Sequence, residues 1–317
     1  TNVSALLLTS EAEVRYFTGF TTQFWQSPTR PWYVVIPLSG KPIAVIPSIG
    51  VPSMNQCYVE QIISWVSPDA HDDGITLVAD VIKRHITKGA ALGMLMSRET
   101  AVRMPLRDLF ALQKSLNGID FRDMTASIQK IRMVKSSAEQ AKLRHVCSIV
   151  SDVFVHVPDW LHEGMRLDEC FRMFKIDALH RGVDDVSYLV GAAEADGYRD
   201  IIAPPSSNPL NAGDLVMFDT GCVWDGYFSD FDRNFSIGPA SQDAQEAHKK
   251  LFDATEAALA ILRPGITAAD LFAEMDKILR PECSGGGEVG RYGHGLGIQL
   301  TESPSHTPWD TTVITDG

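Results

Sequence analysis

Several features that would place this sequence quickly are missing from it. No apolar run approaches the roughly 20 residues of a membrane span. The first residues carry no basic-then-apolar leader pattern, and the opening at Thr1 rather than Met suggests a processed or trimmed start. No C-x-x-C pair occurs, and the five cysteines (Cys57, Cys147, Cys170, Cys222 and Cys283) are an odd number scattered along the chain. That argues against a disulfide framework or a structural zinc site and fits a reducing, cytoplasmic setting. There is no basic stripe, and the formal net charge is -12. Nucleic acid is therefore a poor partner, and the acidity reads as solubility. Charged residues are 21% and Gly plus Pro are not in excess, which sets aside disordered and fibrous classes. Histidine is absent between His180 and His248.

What is present suits two domains: 317 residues, 44% of them hydrophobic. The first 130 or so residues alternate strand and helix signals. Ala5–Leu8 reads as a buried strand. Trp32–Pro37 and Pro42–Pro47 are apolar runs joined by Leu38-Ser39-Gly40-Lys41, a hairpin signal. Residues 74–86 have helical spacing, with Ile75, Val78, Val81 and Ile82 on one face, and Ala90–Met96 reads as another strand. Ile131–Glu139 marks a boundary, where Ser136 or Ser137 caps a helix over 137–160 with Glu139 in its first turn. The expected division is 1–132 and 133–317. Within the second part, Leu161-His162-Glu163-Gly164 recurs 101 positions later as Leu262-Arg263-Pro264-Gly265. Each copy is a helix–Gly–helix joint, either a chance likeness or the trace of a duplicated half-domain.

Two segments carry chemistry. From Gly213 to Phe235, an apolar strand ends at Asp219, Asp225-Gly226 permits a tight reversal, and a second strand returns through Asp230. Asp219 and Asp230 are expected to face each other across this hairpin. Two such anions repel unless a cation or proton lies between them; the plainer alternative is an exposed acidic hairpin. The second segment is Tyr292-Gly293-His294-Gly295-Leu296-Gly297, followed by Thr301 and Glu302. Glycine on both sides of His294 lets backbone or ligand approach, and imidazole is a common metal ligand.

In this order, Gly213-Asp214-Leu215-Val216, Asp219, Gly221, Asp230 with Arg233, and Gly293-His294-Gly295-Leu296-Gly297 resemble peptidase family M24. That family includes prolidases, Xaa-Pro aminopeptidases and creatinase. Arg132-Met133-Val134-Lys135-Ser136 is similar to the start of its catalytic domain. The resemblance covers about residues 131–317 and, by pattern only, the first domain. It implies an α+β fold: a pita-bread C-terminal domain with a pseudo-twofold antiparallel sheet, preceded by a smaller α/β creatinase-type N-terminal domain. It also implies a centre of two divalent ions held by two Asp, one His and two Glu, with Asp219 chelating one ion, Asp230 bridging and His294 binding the other. Manganese, iron, cobalt or zinc suit such ligands.

The pattern is departed from in places. The family's two Glu would follow Gly317, so a further segment of about 60–80 residues is expected by resemblance, the second domain reading as truncated. Two substrate-contacting histidines of the family are replaced, one near Ile202 and one by Thr301; each is worth about 3 kcal/mol as a transition-state donor. Tyr198, Arg199 and Asp200 lie beside the first position, where Arg199 either binds a substrate carboxylate or belongs to a solvated loop. Asp232 stands where the family has Thr or Ser, as an extra ligand, an acid orienting a ligand, or the partner of a base. Arg233 and Glu302 are further candidates for that surrounding layer.

The implied activity is metal-dependent hydrolysis of a small amide or dipeptide-like substrate. The catalytic residues themselves are unassigned. The replaced histidines also admit a creatinase-, ectoine hydrolase- or dimethylsulfoniopropionate lyase-like enzyme, and a non-catalytic binding protein of the same fold is the third reading. The resemblance further implies a homodimer in which Phe24, Trp25, Arg30, Pro31 and Trp32 wall the neighbour's pocket, with Arg30 contacting an anionic group. The alternative is that these aromatics pack on their own domain.

Overall fold

The computed structural model describes residues 2–27, 30–195, 197–198, 200–280 and 290–317, in two compact units, 1–129 and 130–317. The first unit runs β1 (Val3–Leu8), α1 (Glu11–Thr18), β2 (Tyr33–Pro37), β3 (Ile43–Pro47), α2 (Val51–Met54), β4 (Gln61–Trp65), α3 (Ile75–His85), β5 (Ala91–Met94), α4 (Leu106–Ser115), β6 (Phe121–Asp123) and α5 (Thr125–Met133), the last crossing into the second unit. Its six strands lie in the order β4-β3-β2-β1-β5-β6. The β2–β3 hairpin is antiparallel as its turn residues require, while β3–β4, β1–β5 and β5–β6 are parallel crossovers. Alternate side chains sort to opposite faces. Ala5, Leu7, Tyr33, Val35, Ile43 and Val45 pack on one side with Val78, Ile82 and Leu112 of α3 and α4. Leu8, Val34, Ala44 and Ile46 pack on the other with Val14, Met54 and Ile128.

The aromatic segment finds its place inside this unit. Trp32 is 1% exposed and Trp25 8%, both in the second of these cores. The Arg103 guanidinium lies 5.0 Å over the Trp25 ring and donates from Nη1 to the Arg30 carbonyl at 2.6 Å, clamping the loop. Phe24 is the most exposed of the three aromatics at 39%, its ring edge-on to Trp32 at 6.4 Å.

The second unit opens with α6 (Ser137–Trp160), whose Ser136–Glu139 capping box forms as its sequence predicts. There follow α7 (Leu167–Arg181), β7 (Asp185–Val190), β8 (Ala193–Glu194), β9 (Leu215–Trp224), β10 (Tyr227–Phe228), β11 (Phe231–Ser236), α8 (Gln242–Ile261), α9 (Ala268–Leu279), β12 (His294–Gly295) and β13 (Glu302–Ser305). The ten residues of β9 form the spine of an antiparallel sheet, with β10 and β11 on one edge and β7 and β8 on the other. Val216, Phe218 and Cys222 of β9 pack against Val150, Phe154, Phe171 and Phe174 of α6 and α7. Asp219 and Gly221 therefore look to the opposite face.

The helix–Gly–helix joint is built twice from the same hydrogen bonds. Gly164 N–H donates to the Leu210 carbonyl at 2.8 Å, and Gly265 N–H to the Ile314 carbonyl at 2.9 Å. Leu167 and Asp168 donate to Asn208 and Ser206; Ala268 and Ala269 donate to Thr312 and Asp310. Arg166 bridges Pro209 as Thr267 bridges Val313. Both glycines have positive φ, +85° and +98°, which explains why the residue recurs. The duplicated half-domain, not chance, accounts for the repeat.

Candidate metal and substrate site

The Asp225-Gly226 turn, at φ +43° and +75°, leaves Trp224 opposite Tyr227 and so fixes the register of the hairpin. Its consequence corrects the expectation that Asp219 faces Asp230. Asp219 lies directly opposite Asp232. Asp230, two residues earlier, falls beside Gly221, because Phe231 is already paired with Thr220. Asp219, Asp230 and Asp232 thus share one face of the sheet. Gly221 has no room for a side chain: a Cβ there would lie 2.6 Å from Leu300 Cδ1. The loop after His294 is seated on this spot, and Phe228 N–H holds it through the Gly297 carbonyl at 2.8 Å.

His294 reaches the acids from β12. Its Nε2 is 3.2 Å from Asp230 Oδ2, and its Nδ1 is 2.8 Å from the Gly295 carbonyl. Burial, then repulsion from Asp232 and Asp230, pushes Asp219 up to about 6. Burial likewise pushes Asp232 to about 6, with Arg233 pulling down and Asp230 pushing up. Asp230 is also raised, chiefly by burial, against the pull of His294 and Arg291. Among the described residues, no three His, Cys, Asp or Glu side chains are gathered tightly enough to enclose an ion unaided. The donor types nevertheless fit a divalent cation, since carboxylates and an imidazole meet where negative charge is crowded and half-buried. Three anions repel one another and cannot close on a point until a cation draws them in.

The other candidates separate into near and far. Tyr198 Oη donates to Asn234 Oδ1 at 2.6 Å, two residues beyond Asp232. Arg233 turns from the acids: its guanidinium lies 5.0 Å over Phe231, and Nη1 donates to the Asp232 carbonyl at 2.7 Å. Ile202 is 72% exposed and Thr301 half-buried. Glu302 is buried in ion pairs with Arg132 and Lys135, so it is a framework acid rather than a substrate contact. Trp25 and Arg30 belong to the packed loop of the first unit; Arg199 and Cys283 lie outside the described residues. Cys57, Cys147, Cys170 and Cys222 are free thiols.

Sequence reasoning passed over Tyr188 and Arg291, whose side chains lie close enough to Asp219 and Asp230 respectively to weaken their hold on protons. A signal for Tyr188 existed: on β7 it is the register partner of Gly221, on the face of the acids. Arg291 had no such signal beyond its closeness in sequence to His294.

A two-layer pita-bread unit with this carboxylate–imidazole cluster, following a three-layer α/β unit, defines the prolidase and creatinase class. Residues 141–317 match the family described as Metallopeptidase family M24, and residues 1–134 match the Creatinase/Prolidase N-terminal domain. The chain belongs to metallopeptidase family M24. A relative named "Probable dipeptidase PepE" from Mycobacterium tuberculosis (strain ATCC 25618 / H37Rv) is 24% identical, over 99% of this chain and 81% of its own. Among solved structures, a recombinant prolidase from Thermococcus sibiricus superposes with TM-score 0.86 at 23% identity, covering 100% of this chain and 83% of that one. Dipeptidase PepE from Mycobacterium ulcerans superposes with TM-score 0.80 at 26% identity, covering 99% and 81%. Among the described residues, no helix is long and apolar enough to cross a membrane.

Proposed function

We propose that this protein is a metal-dependent hydrolase of a small amide or dipeptide-like substrate, with Asp219, Asp230 and His294 as ligands. The observation that carries the reading is the approach of His294 Nε2 to Asp230, 3.2 Å, beside two more acids whose charge is resisted by burial. Manganese, iron, cobalt or zinc, two ions in a full centre, match the donors. Such a cation supplies Lewis acidity to the amide carbonyl and acidifies water. The chain's own residues do the rest. The hydrogen bond from His294 to the Gly295 carbonyl leaves Nε2 as the donor atom. Tyr188 lies close to Asp219, and Asp232, on the same face, is suited to a substrate ammonium group. The working division is a creatinase-like domain over 1–132 and a hydrolase domain over 133–317, in a cytoplasmic homodimer.

A second reading, turnover of a non-peptide metabolite, is favoured by the lack of an imidazole at Ile202 and Thr301, with the phenols of Tyr188 and Tyr198 close to the acids instead. A panel of Xaa-Pro and other dipeptides, with creatine-, ectoine- and sulfonium-type compounds, decides between them when run on protein loaded with each metal. Dipeptide cleavage that needs the metal and disappears in His294→Ala is expected. Turnover of the metabolites alone shifts the reading to the second, and neither uptake nor turnover to a binding protein.

A further inference from the structure

A short ladder holds His294 in place. β12 and β13 pair only Gly295 with Glu302 and His294 with Ser305, with a register shift between the two pairs. Two such pairs do not fix a strand in water by themselves. What surrounds Glu302 does more. Its side chain is 5% exposed and that of Arg132 is 4%. Arg132 Nη2 donates to Glu302 Oε1 at 2.5 Å and to Gln299 Oε1 at 2.7 Å. Lys135 Nζ reaches Glu302 Oε2 at 3.2 Å, and the Gln299 N–H donates to Oε1 at 3.1 Å. The loop is wound around this carboxylate so closely that a Cβ on Gly297 would lie 2.9 Å from both of its oxygens. Buried ion pairs contribute little net stability, but they can specify register, because every displaced arrangement leaves a charge unpaired.

We infer that Glu302, held by Arg132 and Lys135, is a positioning residue that sets the register of β12 on β13 and thereby directs His294 Nε2 at Asp230. This rests on the proposed role of His294 as a ligand. The carboxylate orders the loop, the loop fixes Gly297 against Phe228 and Leu300 over Gly221, and both contacts seat His294 over the acid-bearing strands. Arg132 and Glu302 are 170 residues apart, so the start of the domain is tied directly to its histidine loop.

The test uses the 317-residue chain with labelled histidine, the His294 ring signals being assigned by their loss in His294→Gln. In the metal-free protein, Glu302→Gln and Arg132→Met should displace or broaden the His294 ring signals, and with them those of His306, which is bonded to Gly293 on the same ladder, while the histidines elsewhere stay put. Calorimetric titration with manganese should show affinity falling about tenfold or more, the scale seen when the partner of a ligand is removed. Arg132→Lys, which keeps the cation, should stay within about threefold of the parent. A folded Glu302→Gln or Arg132→Met with unmoved His294 signals and unchanged affinity overturns the inference. If both fail to fold, Lys135→Met, which leaves Arg132 in place, takes over: displaced His294 signals support the inference and unmoved ones overturn it. If the 317-residue parent takes up no manganese, the ring signals alone decide the positioning role.

Discussion

Two clusters of three aspartates, one in each unit, show how differently the same residue type can be used. In the first unit, Asp69 accepts the N–H groups of His71 and Asp72 at 2.8 and 3.0 Å. Asp72 accepts those of Ile75 and Thr76 at 2.7 and 3.1 Å, answering first-turn N–H groups of α3 from two residues before its N-cap, Gly74. Asp73 accepts the Trp65 indole at 2.7 Å and the Asp69 N–H at 3.1 Å. Backbone N–H groups pull Asp69 below the usual carboxylate range. In the second unit, Asp219 and Asp232 sit in a β-ladder whose N–H groups are already committed across the strands. Burial pushes both up to about 6, joined by repulsion from Asp232 and Asp230 at Asp219, and at Asp232 opposed by Arg233 and aided by Asp230. A cluster of acids is therefore not a site by composition; it becomes one when the backbone has no donors left to answer it.

The sharpest way to break this comparison is to offer a cation. Manganese at about a hundred times its Kd should stabilise the protein by about 2.7 kcal/mol, seen as a rise in Tm of several degrees. Asp230→Asn should abolish that rise and Asp73→Asn should leave it intact. An equal loss in both variants would erase the distinction between the clusters. Next, Asp72→Ala should lower stability by about 0.5–2 kcal/mol in urea unfolding, because the first-turn N–H groups of Ile75 and Thr76 lose their acceptor, without touching manganese affinity.

A further contrast is in pH dependence, where the sign differs between the clusters. A carboxyl raised to about 6 when folded, from about 3.9 unfolded, holds its proton more firmly in the native state. Relative to Asp219→Asn, the metal-free parent should thus lose stability as pH rises from about 4 through 6. Asp69 is lowered, so its contribution is present above about pH 4 and fades as pH falls below that. Thermal melts of parent, Asp219→Asn and Asp69→Asn between about pH 3 and 7 check both slopes. Slopes of the same sign would remove the contrast.

Much of this was legible in the residues because the signals are local. The Ser136–Glu139 box fixes the start of α6, the spacing of Ile75, Val78 and Ile82 gives α3, and the joints at Gly164 and Gly265 were visible as a repeat, though not by themselves distinguishable from chance until their hydrogen bonds were seen to match. The site was legible as a pairing of motifs, with Asp230 and His294 meeting across 64 positions of chain. The register of Asp219 on Asp232 was available from Asp225-Gly226 but needed the turn type to be taken literally. Arg132 with Glu302 was not legible, since an ion pair across 170 residues depends on where two separate elements come to rest. Nor was the inward packing of Trp25, which Arg103 settles from another part of its unit.

The twice-built joint has a consequence for the order of assembly. Gly164 closes on Leu210 and Gly265 on Ile314, each within its own stretch of chain. Closing such loops separately costs less chain entropy than one closure across the whole unit, and contacts near in sequence form sooner than distant ones. His294 and Asp230 belong to different halves, so their meeting depends on two loops that have already closed. The meeting of the proposed ligands is then a product of late docking, and a chain arrested with its second half unformed would carry all three aspartates yet lack the imidazole beside them.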